Sequence, residues 1–354
     1  MAWKLILDAV DRLKLDPKPD SRTMLGQLSA TPASFAVKNT TEVHHHAQNL
    51  THWAQEYEQT SAGSFEGRVR EFRHGELQAF EECANRATTQ YCQAWEGGIW
   101  FGMPTDSSAR DVLYMGRPLE ADHLMVANGR VQFDLRVPAD VGLYGIVVSR
   151  GDFEQRFRQN GGPESIEGVE GLTAQWPQLV RIPALQRHRL AALVREALNN
   201  LQTHPEILRH SGSISTLRSA LLTVLVGAWE PAQPQPEVSL RRRRRLDLVH
   251  RARELVLDEP AAHLTVEQLC QALFVTRRTL QNCFQDVLGM SPGAYLRTVR
   301  LNRVRQDLLQ ATPGQTVVDV AARWGFWHMG HFAHEYRALF AETPSQTMRR
   351  RVTG

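Results

Sequence analysis

Residues 264–345 spell the same pattern twice, and this repeat limits the possible folds more than anything else in the chain. Thr265-Val266-Glu267-Gln268-Leu269-Cys270 aligns with Thr316-Val317-Val318-Asp319-Val320-Ala321 at a fixed offset, and Phe274-Val275 aligns with Gly325-Phe326. The register then slips by one residue. Leu280 matches Phe332, Phe284 matches Tyr336, Leu288 matches Phe340, and Ser291-Pro292 matches Thr343-Pro344. A slip of one residue between two apolar patterns of helical period can be absorbed by a turn without disturbing either helix. Each copy therefore predicts a helix, a short turn and a second helix. That is the plan of a helix-turn-helix, whose second helix lies in the major groove of DNA.

Charge is distributed to match. Residues 241–354 hold 18 Arg, no Lys and 10 Asp plus Glu, a balance of about +8; 23 basic and 28 acidic residues, about −5, precede Arg241. A formal net charge of +3 thus hides a basic C-terminal domain with the footprint of a polyanion binder. Its exclusive use of Arg suits bidentate contact with phosphate and guanine. The run Arg241-Arg242-Arg243-Arg244-Arg245 reads either as a solvated face or as a non-specific phosphate attractor.

In the first copy, Thr276 stands where a reader helix begins and its hydroxyl can cap the free amides there. Leu280, Phe284 and Leu288 form the inward stripe. Arg277, Arg278, Thr279, Gln281, Asn282 and Gln285 are left for the DNA side, where Arg reads guanine and Gln or Asn reads adenine. In the second copy Phe326, Phe332 and Tyr336 form the core stripe. Trp327, His328, Met329, His331, His334 and Glu335 are expected outside, fit for thymine methyls and phosphates but offering a weaker code. The connector from Tyr295 to Leu309 is expected to pack through Leu296, Val299, Val304 and Leu308, holding the readers roughly 34 Å apart, one turn of DNA.

The N-terminal part reads differently. Residues 1–45 look like a loosely held lead-in, 46–229 an effector-sensing or dimerisation domain, 230–240 a Pro-rich linker, and 241–354 the DNA-binding domain. Short alternating stretches such as Val131, Phe133, Leu135, Val137 predict strands, and frequent Gly and Pro predict a small β-barrel of cupin-like plan. Two amphipathic helices follow, over 184–201 and 214–229, either lying on the barrel or forming a dimer face. Trp95, Trp100 and Phe101 belong to the densest aromatic run, which reads as barrel core or as a small-molecule platform. His44-His45-His46 cannot all face one ion in a regular element, so the triplet reads as structural or exposed. No metal-binding histidine pattern and no activated nucleophile stand out, so metal and enzyme chemistry are not expected. Four cysteines without a CxxC pair favour a reducing cytoplasm, and no unbroken apolar run approaches a membrane span.

Gly289-Met290-Ser291-Pro292, Tyr295-Leu296-Arg297, Arg300-Leu301, Asp319-Val320-Ala321, Trp324-Gly325-Phe326, Phe332 and Thr343-Pro344-Ser345 resemble the AraC/XylS family of bacterial transcription regulators over the last third of the chain. The resemblance implies a cytoplasmic regulator of double-stranded promoter DNA, most often an activator, with RNA polymerase as partner, a small-molecule effector and a possible homodimer. Asn282 stands where the family usually has Arg, and Gly330 and His334 where it has Ser and Arg. Arg277-Arg278-Thr279-Leu280-Gln281-Asn282, Gly325-Phe326-Trp327-His328-Met329-Gly330 and Trp100-Phe101-Gly102-Met103-Pro104 are similar to regulators of ethanolamine utilisation. That narrower likeness implies ethanolamine and adenosylcobalamin as effectors, although the Asp-x-His-x-x-Gly pattern of many cobalamin enzymes is missing.

Overall fold

A computed structural model describes residues 32–106, 111–160, 178–229, 233–234, 240–258 and 264–350. In chain order the N-terminal part forms β1 (Ser34–Thr40), α1 (Val43–His46), β2 (Ala54–Gln59), β3 (Gly67–His74), β4 (Leu77–Ala84), β5 (Thr88–Gln93), β6 (Gly98–Pro104), β7 (Leu113–Tyr114), β8 (Arg117–Pro118), β9 (His123–Asn128), β10 (Phe133–Val137), β11 (Gly142–Ser149), α2 (Arg150–Gln159), β12 (Gln178–Arg181), α3 (Ala184–Thr203), α4 (Ser211–Trp229) and β13 (Gln233–Pro234). One sheet runs β1-β3-β4-β11-β6-β9-β12-β13 and the other β2-β5-β10-β7-β8. The expected closed barrel is therefore corrected to an open sandwich. Alternating apolar residues identify strands, but closure requires the terminal strands to pair, and among the described residues β1 and β13 end one sheet while β2 and β8 end the other.

Strand alternation sorts the side chains into layers. On β6, Trp100 faces the second sheet and stacks on Phe133 with ring centres 4.3 Å apart. Its neighbour Phe101 faces the other way, 5.3 Å from Phe153 of α2 and 6.0 Å from Trp229 of α4. Helices α2, α3 and α4 cover this outer face through Leu190, Leu198, Leu221 and Leu225, so the helical hairpin lies on the sheet. By length and composition α4 could cross a bilayer, contrary to the expectation that no apolar run approaches a membrane span. Half of that stretch is buried, as in a core helix.

Two boundaries differ from expectation. The supposed lead-in contains β1, which pairs with β3 from Ser34 to Thr40; residues 1–31 lie outside the described residues. Within the supposed linker, Gln233 and Pro234 pair with Arg181 and Val180 at the sheet edge, where a residue lacking an N–H is tolerated.

The C-terminal part forms α5 (Leu240–Asp258), α6 (Val266–Ala272), α7 (Arg277–Leu288), α8 (Pro292–Leu309), α9 (Val317–Arg323), α10 (Met329–Phe340) and α11 (Pro344–Arg349). Thr265, Thr316 and Thr343 each cap a helix reciprocally with the residue three positions on, Gln268, Asp319 and Gln346. The first copy leaves four residues between its helices and the second leaves five, which locates the register slip in the turn. Both scaffold helices close with the same pair of bonds. Phe274 N–H donates to Gln271 O and Val275 N–H to Cys270 O; Gly325 N–H donates to Ala322 O and Phe326 N–H to Ala321 O. This closure needs positive φ, +83° at Gly325 and +55° at Phe274. The exchange reverses where the readers end, at Gly289 (+67°) and Ala341 (+59°). Each non-glycine there costs about 1 kcal/mol.

Candidate nucleic-acid interface

Helix α7 is built as the apolar spacing required. Leu280, Cys283, Phe284, Val287 and Leu288 are buried, and the Thr276 hydroxyl accepts from the Thr279 N–H at 3.1 Å. Arg277, Arg278, Thr279, Gln281, Asn282 and Gln285 are all exposed along one side of the helix. Arg277 donates to Glu267 of the scaffold helix at 2.8 Å, an exposed pair that weakly orients it. Asn282 extends the polar face of Arg278, Gln281 and Gln285, offering bidentate amide and guanidinium groups to base edges.

Helix α10 buries Phe332, Tyr336 and Phe340. Trp327, His328, His331 and His334 are exposed, and Met329 is half-buried. Glu335, expected outside, turns inward: its carboxylate accepts from Arg297 at 3.0 Å and lies 3.3 Å from the His331 ring. The negative charge nearest the second reading face is thereby neutralised. His328 begins the helix without a side-chain cap, so this reader lacks the hydroxyl that fixes the first one's entry.

The Arg run is no loose tether. It forms the first turns of α5; Arg242 donates to the Gly116 carbonyl of the sandwich and Arg245 pairs with Asp286 on α7. Other expected residues are scattered. Trp100 and Phe101 lie on opposite faces of β6 and Trp95 is only partly buried beside the inner core, so the three do not line one platform. In the histidine triplet, His46 Nε2 lies 3.0 Å from Glu82 between the sheets, His45 is exposed, and burial holds His44 down to about 4. Among the described residues, Glu120, Asp122 and His123 form the one cluster with metal-ligand spacing. Arg181 pairs with both carboxylates at 2.7 and 2.9 Å, and His123 Nδ1 accepts from the Glu120 N–H, while its buried Nε2 has no hydrogen-bond partner among the described residues.

Sequence patterns missed a seam between sandwich and helices. Residues alternating outward on the smaller sheet meet α5 and α8. Arg253 donates to Glu56 at 2.5 Å and Glu58 at 3.2 Å, with its guanidinium 3.9 Å over the Tyr91 ring. The Tyr91 and Tyr295 hydroxyls lie 2.7 Å apart, and His250 Nε2 bonds Asp134. The Asn302 amide pairs with both backbone groups of Gln59, at 2.9 and 3.0 Å. Arg305 is buried and donates twice to Glu42, at 2.7 and 3.0 Å. Burial pushes the Glu58 carboxyl up, more than Arg253 and Arg303 pull it back. Burial alone would lower His250; Asp134 outweighs it, and the imidazole is raised. Asn302 and Arg305 share the inner face of α8 with Val299 and Leu308, and polar groups on an apolar stripe were the available signal.

The sandwich also touches both readers, each at its C-terminal end. Arg136 of β10 donates to the Leu288 carbonyl at 2.6 Å, where a cation is favoured by the helix dipole. The Gly63 N–H and the Gln59 amide donate to the Leu339 carbonyl at 2.9 and 3.0 Å.

Comparison with known proteins agrees with this geometry. Residues 269–350 match the family described as a helix-turn-helix domain. The chain is 41% identical over 100 residues to a probable thc operon regulatory protein of Rhodococcus erythropolis, covering 27% of this chain and 30% of that one. It is 35% identical over 86 residues to XylDLEGF operon transcriptional activator 2 of Pseudomonas putida, covering 24% and 55%. A crystal structure of a transcriptional regulator from Chromobacterium violaceum, with an AraC-type DNA-binding domain, is 28% identical and covers 30% of this chain and 94% of that one; at a TM-score of 0.28 the superposition carries no weight. These relatives are transcription regulators, not enzymes, and this chain spans well under two thirds of both curated ones. The repeated unit with its two exposed helices accords with the match of residues 269–350 to the helix-turn-helix domain family, and the curated relatives that this segment resembles are transcription regulators.

Proposed function

We propose that the whole chain is a sequence-specific transcription regulator, an activator, in which a small molecule held by the N-terminal sandwich alters how two reader helices meet promoter DNA. One observation carries this reading: the N-terminal halves of α7 and α10 are exposed, while their C-terminal carbonyls are held by donors from the sandwich. A ligand that displaces β10 moves the donor seated on α7, and one that displaces the segment 59–63 moves those seated on α10, a coupling between distinct sites. Base reading is assigned to Thr276, Arg277, Arg278, Thr279, Gln281, Asn282 and Gln285 in the first reader. In the second, Trp327, His328, Met329, His331 and His334 supply thymine-methyl and phosphate contacts. RNA polymerase is the expected partner on the promoter, with a second copy of the chain bound alongside.

Selection of duplexes from a randomised pool by the full chain tests this, followed by footprinting. Protection is expected over two successive major-groove segments, and Arg278→Ala should relax preference at one position, at a cost of about 1–3 kcal/mol. Protection of a single segment, or unchanged preference in the variant, overturns the placement of the readers. The finer reading, ethanolamine with adenosylcobalamin as effectors, rests on three short sequence stretches; calorimetry of the full chain with each compound decides it, and no heat from either removes it.

A further inference from the structure

Phe274 is the most exposed large apolar side chain among the described residues, 92% accessible, and it sits at a backbone position that disfavours it. Its φ of +55° belongs to the left-handed region, where the equivalent position of the second copy is Gly325. The turn itself does not require a ring, since the same two bonds close both scaffold helices. Folding therefore gains nothing from this side chain, which neither packs nor eases the turn; an outlier of this kind points to a functional role.

Its neighbours indicate what covers it. Phe274 lies two residues ahead of Thr276, the cap of α7, and Arg277 and Arg278 follow at once, exposed and cationic. A reader helix enters the major groove by its N-terminal end, which places the preceding turn at the groove edge. There an aromatic ring meets thymine methyls and the apolar faces of deoxyribose, while flanking arginines take phosphates. Charge complementarity and continuity with the reading face both favour a nucleic acid over an apolar protein surface.

We propose that Phe274 is a DNA-contacting, specificity-determining residue of the first reader, packing its ring on a thymine methyl and sugar at the edge of the half-site. This rests on the reading of α7 as a DNA reader. In the bound state the ring is covered, and the strain at φ +55° is offset by that contact.

Phe274→Gly and Phe274→Leu, in the full chain, test it on the duplex selected from the randomised pool. Glycine should raise the melting temperature, because strain is relieved, yet weaken binding about tenfold, as expected when a ring of this size loses a buried contact. Leucine should keep much of the affinity, and changing one thymine to uracil, which removes only the methyl, should weaken wild type but not the glycine variant. Unchanged affinity in Phe274→Gly overturns the proposal; if transcription with purified polymerase then falls, the ring serves a protein partner instead. Failure of the wild-type chain to select any duplex is a separate outcome, and sinks the DNA-binding reading along with it.

Discussion

Replacing Arg253 with Met should uncouple the two domains. Its guanidinium comes from the helical domain, whereas Glu56, Glu58 and the Tyr91 ring all come from the sandwich, so the change acts across the seam. The two carboxylates do not weigh equally. The Glu56 side chain is 54% exposed, and solvent limits that pair to about 0–1 kcal/mol. The Glu58 side chain is 3% exposed, and its Oε2 has no hydrogen-bond partner among the described residues. Removing one partner of such a buried pair costs about 3–5 kcal/mol, because the other charge stays desolvated. The docking equilibrium should therefore shift by roughly 10² to 4 × 10³-fold towards separated domains. Scanning calorimetry of the full chain should show one transition in wild type and two in Arg253→Met. Adding Glu58→Gln should restore most of the coupling, since no buried charge then remains. A single unshifted transition in Arg253→Met would refute the assignment of the seam's strength to this pair.

Docking should also depend on pH. The His250 pKa is raised by Asp134 against its burial, so its contribution is fully present below the unfolded value near 6.5 and is lost as pH rises through the higher folded value. Melting temperature measured across that range should fall with rising pH, and Asp134→Asn should flatten the slope; an equal slope in the variant removes His250 from the seam. Ala341→Gly should stabilise the chain by about 1 kcal/mol, or about 2 °C, because its φ of +59° suits glycine. Gly289→Ala should do the opposite, since its new Cβ would lie 2.6 Å from Arg136 Nη1, and equal melting points for both variants would count against the strain.

Helices α7 and α10 were legible because their determinants are local. Apolar residues at Leu280, Phe284 and Leu288 fix the buried side of α7, and a hydroxyl at Thr276 marks its start. The sandwich was half legible: alternation finds β10, but nothing within Phe133–Val137 says that β5 and β7 are its neighbours. Pairing is set by contacts distant in sequence, so an open sandwich and a closed barrel read alike. The seam was not legible for a related reason. Glu58, Asp134 and Arg253 look like ordinary surface charges until the fold shows each desolvated against an opposite charge or dipole. Phe274 was not legible either, since its alignment with Gly325 announces neither its exposure nor a φ of +55°.

The chemistry of the seam bears on how such a chain can be switched. Glu42, Glu58, Asp134, His250, Arg253, Asn302 and Arg305 are each partnered across the contact, beside an apolar cluster that joins Met115 and Phe133 of the sandwich to Leu246, Phe284 and Tyr295. Buried ion pairs return much of their Coulomb gain as desolvation, so these pairs add little net docking free energy while making mispairing costly. The polar pairs thereby specify orientation, and the balance between docked and released states rests on both kinds of contact. A ligand needs only a few kcal/mol of differential affinity to shift a balance of that kind by orders of magnitude. Under the proposed gating, Arg136 on Leu288 and Gln59 on Leu339 would carry the shift to α7 and α10, because these sandwich donors are seated on the C-terminal carbonyls of the two helices.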